Sequence, residues 1–188
     1  MISKALLVGT YQRKAELIAR HSDVALSVIV PERWQGQTLE AVHTEGNDLC
    51  VEPVRFGSSY HLHHYPTLAE RIAAQQPDLI HIDEEPYNLA TFLALRAAGP
   101  AKTLFFTWQN IHRRYPPPFG WMERQVLSRA DYALVGNPGA QAVLHRKGYT
   151  GPLSLIPQFG VDPVRFQPRE GPRPDRPFTI GFAGRLVR

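Results

Sequence analysis

The chain has 188 residues, 43% hydrophobic and 20% charged, which is enough apolar material for one well-buried core and too little polarity for a disordered polymer. Its net charge of +4 arises within residues 163–188, where six arginines face Glu170 and Asp175, so the preceding residues sum to zero; a nucleic-acid binder needs its basic excess on the folded body, and that class is set aside. A single cysteine, Cys50, excludes an internal disulfide, and no apolar stretch approaches a signal peptide's apolar region or the roughly 20 residues of a membrane span.

Apolar runs without strict alternation at Ala5–Gly9, Ala25–Val30, Leu49–Val54, Leu79–Ile82, Thr103–Thr107, Ala133–Val135 and Leu153–Ile156 predict strands covered on both faces. Helical patterns occupy 66–76, 88–99, 119–130 and 137–148. The second ends at Gly99, which suits a left-handed cap. The fourth opens on Asn137 as a cap with Pro138 at the first helical position, and closes on Arg146, Lys147 and Gly148. The alternation predicts an α/β fold of Rossmann-like, doubly wound type: a mostly parallel sheet with helices on both faces. Five prolines within 163–178 read as a semi-rigid linker. After it, Phe178–Ala183 looks like another buried strand, followed by the turn Gly184-Arg185-Leu186. The expected organisation is a domain over 1–165, a linker over 166–177 and the opening of a second domain over 178–188.

Open α/β sheets bind ligands at the carboxyl ends of their strands. Gly9, Thr10 and Tyr11 follow the first predicted strand without a G-x-G-x-x-G fingerprint, and they are either a tight turn or a ligand contact. His81, Asp83, Glu84 and Glu85 crowd the next informative end. They either flank a turn, with Asn88 capping the helix, or hydrogen-bond a polyhydroxylated ligand; so many ionisable groups at one strand end favour the ligand. Trp108 offers a flat face suited to a sugar ring, with the amides of Gln109 and Asn110 beside it. Tyr115, Pro116–Pro118, Phe119 and Trp121 form an aromatic-proline loop, with Arg113, Arg114 and Arg124 nearby, that suits an acceptor or a lipid interface. Phe159 and Gly160 precede the linker, and Gly160 is read as needing a positive φ in a sharp turn. His61, His63 and His64 have spacings too close for a persuasive metal site, and Cys50 is expected to be a buried small residue.

Taken in order, "PDLIHIDEEPYN", "TWQNI", "ADYALVGNPGAQAVLHRKGY", "IPQFGVDPVRFQP" and "IGFAGRL" resemble glycosyltransferase family 4, enzymes of the GT-B fold with two facing Rossmann-like domains. The resemblance implies that residues 1–165 form the N-terminal, acceptor-side domain. It implies that Arg185, with Gly9 and Thr10, contacts the donor's diphosphate. Tyr11, His81, Asp83, Glu84, Glu85, Trp108, Gln109, Asn110, Asn137, Phe159 and Gly160 then line the acceptor cleft. Gln109 stands where many members carry a histidine, and an amide cannot titrate. The implied enzyme is a retaining one, taking a sugar from a nucleotide diphosphate sugar to a saccharide or lipid-linked acceptor, without a metal or other cofactor. Its C-terminal domain is the expected partner, and the chain is expected to stop just inside that domain and to be inactive alone. A cytoplasmic protein, with contact at the inner membrane face as a weaker expectation, fits this reading. Two alternatives stay open: half of another GT-B enzyme such as a nucleotide-sugar epimerase, or a stand-alone binding module.

Overall fold

The computed structural model of the protein describes residues 1–168, 171, 177–182 and 184. A three-residue segment, Met1–Ser3, holds the centre of its sheet. Ile2 bridges in parallel to Ile29 on one side and Ile82 on the other. Its N–H donates to the His81 carbonyl and its carbonyl accepts from Asp83 N–H, both at 2.8 Å. In chain order the strands are β1 (Leu26–Pro31), β2 (Arg33–Trp34), β3 (Gln37–Thr38), β4 (Asn47–Glu52), β5 (Leu79–Ile82), β6 (Lys102–Thr107), β7 (Tyr132–Val135) and β8 (Leu153–Leu155). β2 and β3 make a small antiparallel pair. Every other pairing among the named strands is parallel, so the main sheet runs β4, β1, Met1–Ser3, β5, β6, β7, β8.

Among the described residues five helices accompany it: α1 (Arg13–Ala19), α2 (Leu68–Gln75), α3 (Leu89–Ala97), α4 (Phe119–Arg129) and α5 (Pro138–Arg146). Alternation along β1 sends side chains to two separate cores, as the two-residue period of a strand requires. Ile29 joins Ile80, Ile82, Phe105, Ala133 and Val135 beneath α2 to α5. Val28 and Val30 join Leu6 and Ala15 of α1 on the opposite face. Full burial of each such side chain contributes about 1.5–3 kcal/mol. The Rossmann-like layering expected from the sequence is present, with helices on both faces.

Local chemistry sets the helix ends. Gly99 has φ +57° and Gly148 φ +86°, the left-handed values that terminate α3 and α5. Asn137 accepts the Ala140 N–H at 2.8 Å, with Pro138 opening α5. Three expectations are corrected, and one helix was not expected. Ala5–Gly9 is not a strand: Ala5–Leu7 and Gly9–Gln12 are 3-10 turns, and Ile2 takes the predicted strand's slot. Helix α1, unmarked in the sequence reading, follows directly. Cys50 is half-buried, packing against the main core from β4; burial pushes its thiol up, and Asp48 beside it does the same. The run expected to be a buried strand from Phe178 makes no strand over the described 177–182, and Phe178, Ile180 and Phe182 are 85%, 85% and 79% exposed. A strand exists only by pairing, and no described backbone lies alongside this one.

Candidate functional site

Chain order reverses between Met1–Ser3 and β5: later strands β1 and β4 lie to one side, β5 to β8 to the other. In a doubly wound sheet this switch point opens a crevice at the carboxyl ends of the strands. The residues leaving the two central strands are Ser3-Lys4 and Asp83-Glu84, so the crevice floor is polar from the outset. Asp83, 3% exposed, accepts from Ser3 Oγ at 2.8 Å, from Lys14 Nζ at 3.1 Å and from Gln158 Nε2 at 3.0 Å. Burial opposes its ionisation, but Lys14, His81 and Ser3 outweigh burial and hold the carboxyl below its ordinary value. His81 lies two residues earlier on β5; burial pushes it down to about 4, so its imidazole is neutral, with Nε2 unpartnered among the described atoms.

Glu84 has no exposed side-chain surface. Its carboxylate binds Lys4 twice: the Nζ directly, and the backbone N–H at 3.0 Å. Burial lowers the Lys4 ammonium to about 8, while Glu85 and Asp83 act in the opposite direction. Glu84 therefore ties the first segment to β5 and offers no open face to a ligand. Glu85 behaves differently. It accepts from Thr107 Oγ1 at 2.6 Å and from Trp108 N–H at 2.8 Å, linking the ends of β5 and β6. Burial holds its carboxyl above the ordinary value, against the effect of those two donors.

Trp108 is 44% exposed. Its Nε1–H donates to Gln158 Oε1 at 2.8 Å, and Gln158 in turn donates to Asp83, so one side chain joins the β6 rim to the crevice floor. Tyr11 stacks on Phe159 with ring centroids 4.0 Å apart, and Lys14 Nζ sits 5.2 Å over the same ring. The crevice thus gathers Tyr11, His81, Asp83, Glu85, Trp108 and Phe159. Other expected residues are used elsewhere. Gly9 N–H donates to Glu40 Oε2 at 2.9 Å, and Thr10 is exposed. Gln109 donates to Tyr115 and accepts from Lys147. Asn110 is exposed; Asn137 caps α5 and donates to the Trp108 carbonyl at 3.1 Å. Gly160 is corrected: its φ is not positive and no atom crowds its Cβ position, so no sharp turn demands glycine. Arg185 lies outside the described residues. Ser3, Lys4, Lys14 and Gln158 were not among the expected site residues. Gln158 carried one signal, its place beside Phe159 in the stretch "IPQFGVDPVRFQP"; the others lay where no helix or strand end was expected.

Gly136 fixes the pose of Trp108. A Cβ there would stand 2.6 Å from indole ring carbons, well inside contact distance, so Gly136→Ala must displace the ring and break its bond to Gln158. The expected result is a shifted Trp108 indole N–H resonance with a loss of about 1–3 kcal/mol in stability. An unmoved indole signal would show that the ring does not depend on this contact.

An open, parallel sheet with a polar crevice at its switch point defines a Rossmann-like ligand-binding domain. Residues 9–158 match the family model described as a glycosyl transferase 4-like domain, and the chain belongs to that family, as a glycosyltransferase N-terminal domain. No curated protein and no solved structure matched the chain. Among the described residues no helix is long and apolar enough to cross a membrane, and no three of His, Cys, Asp and Glu are grouped to hold a metal ion.

Proposed function

We propose that this chain is the acceptor-side domain of a retaining glycosyltransferase, which moves a sugar from a nucleotide diphosphate sugar to a saccharide or lipid-linked acceptor. The observation that carries the reading is the Asp83–Gln158–Trp108 rim: a carboxylate and an amide beside an exposed indole, at the switch point of the sheet. Such a pairing of a flat apolar face with hydrogen-bonding groups suits a sugar ring. Residues 178–188 would open the donor-binding domain, with Arg185 gripping diphosphate oxygens through two parallel hydrogen bonds. Gly9 would join the diphosphate site only if the phosphate displaced Glu40, an exposed side chain free to swing away. The leaving diphosphate would help to activate the acceptor on the same face, which asks for no protein base and no metal.

The test is transfer by the full reading frame, followed by anomeric analysis of the product. Retention is expected, and Trp108→Ala should weaken acceptor KM by about tenfold, the worth of a ring-stacking contact. The 188-residue chain alone should transfer nothing, because half of the positioning groups would be absent. Inversion, or transfer by the 188-residue chain, would overturn the reading.

A further inference from the structure

Beside the crevice, the loop after β6 and the first half of α4 frame a second concavity of about 290 Å³. Arg113, Arg114, Arg124 and Lys147 line it, with Glu123 as its one carboxylate. That carboxylate is already committed. Glu123 and Lys147 are each 8% exposed at the side chain and lie 2.5 Å apart, forming a buried pair at the floor. The three arginines are exposed, and none has an ion-pair partner among the described residues. Three uncompensated guanidinium groups around one small concavity repel each other, and their repulsion is relieved by an anion between them.

The pocket is also built to stay in place. Tyr115, next to the two loop arginines, packs against Tyr87 with centroids 4.4 Å apart and the rings tilted by 31°, and its hydroxyl accepts from Gln109 Nε2 at 2.8 Å. A Cβ on Gly120 would stand 2.4 Å from the Tyr115 carbonyl oxygen, so only glycine lets the loop lie this close to the first turn of α4. The arginines thus project from a backbone whose position is fixed before any ligand arrives, which reduces the ordering cost of binding. Guanidinium is the group best matched to phosphate oxygens, through paired N–H donors. The floor communicates with the crevice: Lys147 Nζ donates to Gln109 Oε1 at 3.3 Å, and Gln109 is the neighbour of Trp108.

We propose that this pocket binds a phosphoryl group, as phosphate or diphosphate, either free or on a lipid headgroup. Resting on the glycosyltransferase reading, it anchors the phosphate-bearing end of the acceptor while the crevice holds the end that receives the sugar. Exposed Trp121 and Ile111, 46% and 59% accessible, stand near the same loop and would meet an apolar tail if the phosphate carries one.

Binding is tested without any transfer assay, by calorimetric titration of the 188-residue chain with sodium diphosphate and by flotation with phosphatidylglycerol or phosphatidylcholine vesicles. Arg113→Gln/Arg124→Gln should weaken diphosphate binding by at least about tenfold, the scale of one lost charge-assisted pair. Arg114→Gln alone should give a smaller loss, and Arg20→Gln, on exposed surface elsewhere, none. All three replaced pocket arginines are exposed, so unchanged circular dichroism and melting should accompany the loss. Arginine-dependent diphosphate binding supports the pocket with a free phosphoryl source. Arginine-dependent flotation with phosphatidylglycerol alone supports it with a headgroup source. Absence of both, or binding undiminished in the double variant, overturns it. Sugar transfer by the full reading frame in that event would leave the glycosyltransferase reading standing, so the two fail separately.

Discussion

Glu84→Ala is expected to destabilise the protein by about 3–5 kcal/mol, lowering its melting temperature on the order of 10 °C. Two features make this position sensitive. The Glu84 side chain is wholly buried and bound to Lys4, whose own side chain is only 16% exposed. Removal leaves the ammonium with the carboxylates of Glu85 and Asp83, to which it is not bonded, and the face of Trp34, 5.5 Å from its Nζ, and leaves the Lys4 backbone N–H without its acceptor. The position in the sheet magnifies the loss. Among the described residues β1 and β4 are joined in the sheet to β5–β8 through Met1–Ser3, which pairs around Ile2. Lys4 directly follows that segment, so its anchor to Glu84 helps to hold the two halves of the sheet in register. Glu84→Gln, which keeps the shape and can still accept the N–H, should lose less. The double variant Lys4→Met/Glu84→Leu should recover most of the stability, because the cost lies in an uncompensated buried charge and not in the absence of the pair. Urea melts of the four proteins decide the matter; a Glu84→Ala protein within about 1 kcal/mol of the parent would refute the account.

Periodicity and helix punctuation located the parts of this fold that obey local rules. Asn137-Pro138 and Gly148 bracket α5 because cap and stop chemistry act within a few residues. β5 and β7 fall where their apolar runs predicted them, since buried parallel strands need little besides apolar side chains. Ala5–Gly9 misled for the same reason: apolar density reports burial and not period. Leu6 and Leu7 are buried within 3-10 turns, while the central strand position fell to Ile2, whose neighbours Ile29 and Ile82 are distant in sequence. The site divides in the same way. The ionisable crowd at the end of β5 was legible as a cluster, but its division of labour was not. Glu84 turns inward to Lys4, Glu85 reaches across to Thr107, and Asp83 meets Lys14 and Gln158. Those partners come from separate elements, and only the sheet order brings them together.

Acid should unfold this protein through its buried histidines. His63 is 0% exposed. Its Nδ1 lies 2.9 Å from the Tyr60 carbonyl, which can only accept, so Nδ1 carries the proton. Nε2 then makes no hydrogen bond and lies 3.4 Å from Glu84 Oε2, a carboxylate that would favour a proton there while burial opposes one. Burial, with Lys4 acting in the same direction, pushes this imidazole from its ordinary 6.5 down to about 3. Burial likewise takes His81 down to about 4, with Lys14 and the N-terminal ammonium adding to the effect and Asp83 opposing it. In the unfolded chain both rings take up a proton near pH 6.5; in the folded chain neither does until the pH is far lower. Over that interval the unfolded state binds two more protons, so stability falls as pH falls, by about 1.4 kcal/mol per pH unit for each ring. From pH 6.5 to 4.5 the pair removes about 5 kcal/mol, comparable to the whole stability of many domains. Asp83, held below its ordinary value, adds a loss of the same sign at still lower pH, whereas Glu85, held above its own, contributes with the opposite sign. The individual histidine is isolated by comparing slopes and not absolute stabilities. Urea unfolding of His63→Asn, which keeps a donor for the Tyr60 carbonyl, should show a pH dependence shallower by about 1.4 kcal/mol per unit between pH 6 and 4.5, whatever its stability at neutral pH. Parallel slopes for parent and variant would mean that the Glu84 carboxylate beside Nε2 lets His63 take up its proton in the folded protein, against the effect of its burial.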